Sequence, residues 1–202
     1  MKKAPFITLE GGDRSGKTSV ARFLQERLEA KGVAHRLVRE PGGTFLGEKL
    51  RSLLLEESLQ IGKQAELALF LGARSQLIEE IIAPSLAAGV LVLADRFHDS
   101  SIAYQGAGRG LGEEFVERLG SLFWGDFSPD LTLFFDIDPE EAQKRGFFTQ
   151  DRIESEELSF HQIIRASYLR LAKKHARIRT IDAQLPLIEV QKTAWNLVEA
   201  HL

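Results

Sequence analysis

The sequence predicts an α/β protein built on a parallel sheet, and three observations predict it. Short β-prone apolar runs alternate with amphipathic stretches along the chain. Two of those runs, Val90–Ala94 and Leu131–Phe135, are continuously apolar, as strands covered on both faces are. The first junction between a strand and a helix holds a glycine-rich loop. Alternating strands and helices imply right-handed crossovers between parallel strands.

The elements follow in order. Phe6–Leu9 is apolar and β-prone and ends in glycines, so it reads as a strand. Lys17–Lys31 carries Val20, Phe23, Leu24 and Leu28 at helical spacing, with Gly32 as a stop signal. His35–Arg39 reads as a second strand, Glu40–Thr44 as a loop punctuated by Pro41 and two glycines, and Gly47–Leu55 as a helix. Ala65–Ile82 reads as a long helix, with Pro84 marking a kink or an end. After the strand at Val90–Ala94, residues 106–112 hold four glycines and read as a mobile segment. Glu113–Phe123 is helical, Leu131–Phe135 is a strand, and Pro139–Arg145 opens a helix with proline in the first turn. Gly146–Gln150 is a break. Ser155–His175 is a long helix, Ile178–Ile181 a last strand and Leu187–Leu202 a final helix.

Composition narrows the function. The chain has 202 residues with a net charge of −3, 44% apolar and 27% charged residues, and no cysteine. A single domain over residues 1–202 is expected, with ample material for a core. The charge balance does not suit general nucleic-acid binding, which needs a clustered cationic excess. With no cysteine there is no disulfide, thiolate metal site or thiol nucleophile, and a reducing, cytoplasmic setting is expected. Met1-Lys2-Lys3 is basic, but the apolar stretch behind it is too short for a signal sequence. Leu67–Leu93 is interrupted by charges, Pro84 and Gly89, so no membrane association is expected.

Gly11-Gly12-Asp13-Arg14-Ser15-Gly16-Lys17-Thr18 fits G-x-x-x-x-G-K-[ST] and lies between a strand and a helix. Such a loop turns backbone N–H groups inward around phosphate oxygens, and the helix start behind it adds partial positive charge. Residues Gly11 to Ser19 are therefore the candidate nucleotide-binding segment, which the resemblance described below assigns to ATP. Lys17 supplies a point charge to the outer phosphates and Thr18 a hydroxyl for Mg²⁺. Arg14 is placed to lean over the transferred phosphoryl group. Asp13 repels phosphate and so is expected to face a hydroxyl or a metal-bound water.

A second constellation faces the acceptor. Arg39, Glu40, Pro41 and Arg51 follow the second strand and share its sheet edge with the phosphate loop. Phe70 and Arg74, four apart on a helix, share one face; the ring suits base stacking and the guanidinium a base edge. Read alone, Phe70 also fits a Leu67-Phe70-Leu71-Leu77-Ile81 core stripe. Asp95 and Arg96 end a buried strand, where an aspartate often holds the water shell of Mg²⁺. Ser100, Ser101, Tyr104 and Gln105 follow with short polar groups.

Together these segments resemble bacterial thymidylate kinase. The resemblance rests on Leu9–Thr18, on Arg39-Glu40-Pro41-Gly42-Gly43-Thr44 with Gly47, Glu48 and Arg51, and on Leu69-Phe70-Leu71 with Arg74. It continues through Asp95-Arg96-Phe97, Ser100 and Ala103-Tyr104-Gln105-Gly106 to Asp151-Arg152 and Phe160-His161. It implies a three-layer P-loop kinase fold with a five-stranded parallel sheet and a lid near residues 144–152. It also implies a homodimer and transfer of the ATP γ-phosphoryl to dTMP, giving dTDP and ADP in dTTP biosynthesis, with Mg²⁺ as cofactor. The catalytic residues it implies are Arg14, Lys17 and Arg96, with Thr18 and Asp95 toward the metal. It gives Asp13 the 3′-hydroxyl of dTMP, and Arg96 and Arg51 its phosphate, with Arg39, Glu40 and Pro41 nearby. Phe70 would stack on thymine and Arg74 would bond its carbonyl. Ser100, Ser101 and Gln105 would read the base edge, and Tyr104 would crowd a 2′-hydroxyl.

Gly146–Gln150 holds no lysine or arginine. Lys144, Arg145, Asp151 and Arg152 are then the lid-edge candidates, with Lys144 and Arg145 expected on a solvated helix end. Other nucleotide or deoxynucleoside kinases would share the phosphate loop and differ in the acceptor. A GTPase switch would need an Asn-Lys-x-Asp signature, and the sole asparagine is Asn196. A non-catalytic relic is disfavoured because Lys17, Thr18, Asp95 and Arg96 are all present.

Overall fold

Five strands form one parallel sheet in the order β2-β3-β1-β4-β5 in the computed structural model, which describes residues 4–125, 127–146, 152–153 and 155–202. The strands are β1 (Phe6–Glu10), β2 (His35–Arg39), β3 (Leu91–Asp95), β4 (Leu131–Asp136) and β5 (Ile178–Asp182). Each lies within two residues of its sequence-based range. Every residue of β1 is buried, and β3 and β4 are buried except at their last residues. That is why their runs are continuously apolar.

The order has a functional consequence. β1 lies at the centre, with Leu9 in register with Asp95 of β3 and with Leu133 of β4. The chain leaves β1 toward β2 on one side and later crosses to β4 on the other. This reversal opens a crevice at the carboxyl ends of the strands, where α/β proteins bind ligands. The loops after β1, β2 and β3 therefore converge.

Helix α1 (Lys17–Ala30) starts inside the phosphate loop and packs on α9 (Leu187–Glu199). Val20, Leu24 and Leu28 of α1 and Val190, Ala194 and Val198 of α9 share one core with Ile7, Leu9 and Leu133. Helix α2 (Phe45–Leu55) is capped by Thr44, whose hydroxyl accepts a hydrogen bond from the Gly47 N–H at 2.9 Å.

Helix α3 (Lys63–Leu77) does not end at Pro84. It passes through a π-helical turn (Ile78–Ile82) into α4 (Ala83–Ala87). Proline lacks the N–H that an α-helix requires there, and the wider turn ahead of it absorbs the mismatch. The glycine run after β3 also differs from expectation. Helix α5 (His98–Ser101) continues as a π-helical segment (Ile102–Gly108). Gly106 lies against the Glu113 backbone, and Gly108 would meet the Phe160 ring at 2.6 Å if it carried a Cβ. These glycines permit close packing on α6 (Glu113–Trp124) and α8 (Leu158–Lys174). Helix α7 (Pro139–Lys144) is capped by Asp138, which accepts from the Glu140 N–H.

A second core joins Leu67 and Leu71 of α3, Ile102–Tyr104, Phe160, Ile164, Tyr168 and Leu171 of α8, and Phe134. The sheet also contains polar groups. Thr8 and Thr132 hydroxyls meet at 2.8 Å inside it, and Arg177 holds the carboxylate of Asp99 at 2.6 and 2.8 Å beside them. Among the described residues, no helix is long and apolar enough to cross a membrane.

Candidate active site

The site is built where β1 meets β3. The phosphate loop turns through Gly11 (φ 141°), Arg14 (φ 62°) and Gly16 (φ 89°). Gly11 has no room for a Cβ, which would lie 2.6 Å from the Phe135 carbonyl oxygen. Lys17 Nζ folds back over the loop and donates to the carbonyls of Gly11 (2.9 Å) and Gly12 (2.7 Å). Burial and the neighbouring charge of Arg96 lower the Lys17 pKa to about 8. Ser15 is buried beneath it, while Thr18 and Ser19 face solvent at the start of α1.

Arg96 joins the two halves of the site. It directly follows β3 with φ at 72°, a left-handed conformation that costs a residue with a Cβ about 1–2 kcal/mol. Its backbone N–H donates to the Leu9 carbonyl at 3.0 Å. Its guanidinium donates to the Gly11 carbonyl at 3.0 Å, the Asp13 carboxylate at 2.6 Å and the Ser100 hydroxyl at 3.3 Å. Burial opposes ionisation of Asp13, but Arg96 and Lys17 outweigh it and hold the carboxyl below its usual range.

A cleft of about 120 Å³ opens beside this joint. Asp13, Glu40, Pro41, Arg51, Phe70, Arg74, Arg96, Ser100, Ser101, Tyr104 and Gln105 all line it. These residues come from five separate segments, and the sequence singled out each of them. Leu55 and Ile153 complete the wall and were not anticipated. Arg51 donates to the Pro41 carbonyl at 2.9 Å, which fixes its fork at the cleft mouth. Arg39 is not among the lining residues; it is exposed and pairs with Glu48 at 3.1 Å.

Arg74 departs from the simple expectation of a free base reader. It is 1% exposed, and its guanidinium donates to Glu40 (2.6 Å), the Ser101 hydroxyl (3.0 Å) and the Phe97 carbonyl (3.0 Å). It also lies over the rings of Phe97 and Trp124. Arg74 thus braces the floor of the cleft as well as lining it. Glu40 lines the cleft together with Arg51 and Arg96 and is also the buried partner of Arg74, and burial pushes its pKa up to about 7.

The deeper residues escaped the sequence reading. Glu10 is wholly buried and accepts from the Phe97 N–H (2.7 Å), the Ser100 hydroxyl (2.6 Å) and the Tyr168 hydroxyl (2.8 Å). Burial, reinforced by the charge of Asp99, raises its pKa to about 7. Glu66 is 1% exposed and accepts from Gln105 (2.8 Å) and Arg109 (3.3 Å) and pairs with Arg152 at 2.7 Å. Glu66, Phe70 and Arg74 are spaced by four, so the face that carries the ring and the arginine began one turn earlier.

The donor side is bounded by Arg145. It lies at an exposed helix end, as expected, and in addition its guanidinium bridges the carbonyls of Arg14 (3.2 Å) and Ala183 (2.5 Å). It therefore ties the phosphate loop to the loop after β5. Lys144 does sit at a solvated end and pairs with Glu141. Arg152 is anchored on the Leu54 carbonyl and Glu66, on the acceptor side. Asp151, and with it most of the expected lid, lies outside the described residues. A larger cleft, about 290 Å³, runs from Gly12, Asp13 and Arg14 toward Asp136, His161 and Arg165. Asp13 lines both clefts.

The residues present fit a divalent cation. Asp95 Oδ1 is buried without a hydrogen-bond partner, and Thr18 exposes its hydroxyl at the first turn of α1. Among the described residues, no cluster of three or more His, Asp or Glu side chains could hold an ion unaided. A cation here would take further oxygens from phosphate and water, as Mg²⁺ does.

A family model described as Thymidylate kinase matches residues 9–194. Curated relatives named Thymidylate kinase are similar over nearly the full length. The one from Protochlamydia amoebophila is 44% identical, covering 98% of this chain and 93% of its own. That of Thermosipho africanus is 42% identical, covering 98% of each chain. That of a Thermoanaerobacter species is 42% identical, covering 99% of this chain and 100% of its own.

His98 gives a test of the cleft floor. Its Nδ1 lies 3.4 Å from Arg74 and its ring meets Trp124 edge-on. Burial, then the charge of Arg74, lowers its pKa from 6.5 to about 4. The folded pKa lies below the unfolded one, so the unfolded chain binds the proton first as pH falls. The neutral ring's contribution is complete above pH 6.5 and is lost progressively down to about pH 4, worth on the order of 3 kcal/mol in total. Urea denaturation at pH 7.5 and pH 5 is expected to show a smaller loss of stability in His98→Gln than in the unmodified chain. Equal losses would contradict a buried neutral imidazole.

Proposed function

The chain belongs to the thymidylate kinase family, and on that premise we propose that it transfers the γ-phosphoryl group of ATP to dTMP, giving dTDP and ADP. One observation carries the reading: the phosphate loop and the aromatic-walled cleft share Asp13 and are joined through Arg96. An acceptor phosphate lodged between Arg96 and Arg51 is thereby presented to the loop that grips the donor.

No general base is needed. The acceptor oxygen belongs to a phosphate that is already anionic at neutral pH. Rate enhancement then comes from positioning and from neutralising charge on the transferred group. Lys17 serves the outer donor phosphates and Arg96 the acceptor phosphate. Arg14, half-buried at the loop tip, reaches the group in transit. Mg²⁺, held by Thr18 and Asp95 through phosphate oxygens and water, would neutralise further phosphate charge. Phe70 offers its face to thymine. Ser100, Ser101 and Gln105 surround the base edge, and the buried Tyr104 ring leaves little space for a 2′-hydroxyl. A homodimer is part of the reading. It is supported by exposed apolar side chains on α6, Phe115, Leu122 and Phe123, and on α2, Phe45, Leu46 and Leu53.

The acceptor assignment is tested by ADP release with dTMP, dUMP, dCMP, dGMP and thymidine. dTMP is expected to react far better than dCMP or dGMP, because each mismatched polar group left buried costs about 1–3 kcal/mol. Thymidine, lacking the phosphate that Arg96 and Arg51 hold, is expected to be inert. Equal efficiency on dCMP and dTMP would overturn the thymine assignment.

Arg14 and Arg145 are expected to fail differently. Arg14→Gly relieves a left-handed backbone and removes the loop's free-reaching cation. Turnover is expected to fall at least about a hundredfold, a conservative share of what an arginine contributes to phosphoryl transfer. Arg145→Ala breaks a bridge between two loops on the donor side, so it is expected to raise the KM for ATP more than it lowers kcat. Lys144→Ala is expected to change neither. Steady-state kinetics on the three variants decides; a crippled kcat in Arg145→Ala with mild loss in Arg14→Gly would reverse the roles.

A further inference from the structure

Glu10 closes a buried strand with a carboxylate where its four predecessors in β1 are Phe6, Ile7, Thr8 and Leu9. A carboxylate placed there is expensive unless every oxygen is used. Both are: Oε1 accepts from the Phe97 N–H, and Oε2 accepts from the hydroxyls of Ser100 and Tyr168. The donors come from the corner after β3, from α5 and from α8. Glu10 is not among the residues lining either cleft at the phosphate loop, so it acts through others.

What it acts on is Arg96. Arg96 is held between two anchors, its own N–H on the Leu9 carbonyl and the next residue's N–H on Glu10. A non-glycine residue at φ 72° persists only where its surroundings over-determine it. The guanidinium is then steered by the Gly11 carbonyl, Asp13 and Ser100, and Ser100 is itself fixed by Glu10 and Tyr168. Losing the carboxylate removes one of the two backbone anchors at Arg96 and loosens Ser100, one of its side-chain partners, together. It leaves the Lys17 contacts with Gly11 and Gly12 in place.

We propose that Glu10 is a positioning residue, pinning the corner after β3 so that Arg96 meets the acceptor phosphate at a fixed place relative to Lys17. This rests on the kinase reading above. A residue that merely stabilised the fold would, when lost, lower the melting temperature and the active fraction without separating the two substrates. A residue that sets Arg96 affects the acceptor selectively.

The test compares Glu10→Ala, Glu10→Gln and Tyr168→Phe with the unmodified enzyme, measuring kcat, the KM for dTMP and for ATP, and the melting temperature. Glu10→Ala is expected to raise the dTMP KM at least about tenfold and to lower kcat, with the ATP KM within about twofold, since a misplaced charge-assisted hydrogen bond is worth that much. Glu10→Gln keeps a carbonyl oxygen for the Phe97 N–H and a group that Ser100 can bond. It is expected to stay within about threefold of the unmodified dTMP KM. Tyr168→Phe removes one hydroxyl without changing the ring, and its dTMP KM is expected to rise while its ATP KM does not; it decides the matter if Glu10→Ala does not fold. An unchanged dTMP KM in folded Glu10→Ala, equal weakening of both substrates, or a folded Glu10→Gln as damaged as the alanine variant would overturn the assignment. No dTMP-dependent ADP release by the unmodified enzyme would instead overturn the kinase reading itself.

Discussion

The contact of Arg96 with the phosphate loop is the constraint on which the rest of the site depends. Its guanidinium spans the Gly11 carbonyl and the Asp13 carboxylate, and its backbone is bonded to Leu9, so β3 and the loop after β1 are tied together through one residue. The sheet order makes this possible, because β3 pairs directly with β1 and brings Asp95 level with Leu9. Lys17 is buried against the same loop, close enough to Arg96 for its charge to be felt. Two cations at this spacing repel. Asp13 between them, and phosphate when bound, make the arrangement tenable.

Buried carboxylates surround this joint, and each has its own cationic or hydroxyl partners. Glu40 is committed to Arg74, Glu66 to Gln105, Arg109 and Arg152, Glu10 to Ser100, Tyr168 and the Phe97 backbone, and Asp99 to Arg177. Such groups contribute little net stability compared with apolar packing, and they are costly when half satisfied. Their distribution is informative. Glu40 is itself part of the acceptor-cleft wall, whereas Glu10, Glu66 and Asp99 lie behind the lining, where Glu10 and Glu66 hold Ser100 and Gln105, residues that would touch a ligand. Arg74 is held by several hydrogen bonds and Gln105 by a buried carboxylate, which suits discrimination between bases that differ by a single polar group.

Much of this was legible in the sequence, for local reasons. The phosphate loop is a contiguous motif, and its strand and helix flank it directly. Asp95 and Arg96 end an apolar strand, where side chains at a carboxyl end must enter the crevice. Phe70 and Arg74 share a helix face by spacing alone. What escaped depends on distant pairing. Tyr168 meets Glu10 across 158 positions, and no pattern along the chain announces it. Glu66 carried a signal, one turn before Phe70, that went unread. Arg145 looked idle because its partners are backbone carbonyls of Arg14 and Ala183, which leave no trace in side-chain patterns. The glycine content of residues 106–112 suggests a mobile segment, whereas at Gly106 and Gly108 the small size serves close packing.

The central claim is that one rigid joint holds donor and acceptor phosphates at a fixed separation. A bisubstrate molecule joining adenosine to thymidine through a polyphosphate bridge measures it directly, by titration calorimetry. If both clefts are organised around Arg96 and Asp13, the second half binds at high effective concentration. Its Kd is expected to fall about a hundredfold or more below that of either ATP or dTMP alone, and saturating dTMP is expected to displace it. Binding no tighter than ATP, with dTMP still able to bind beside it, would contradict a shared joint between the two sites.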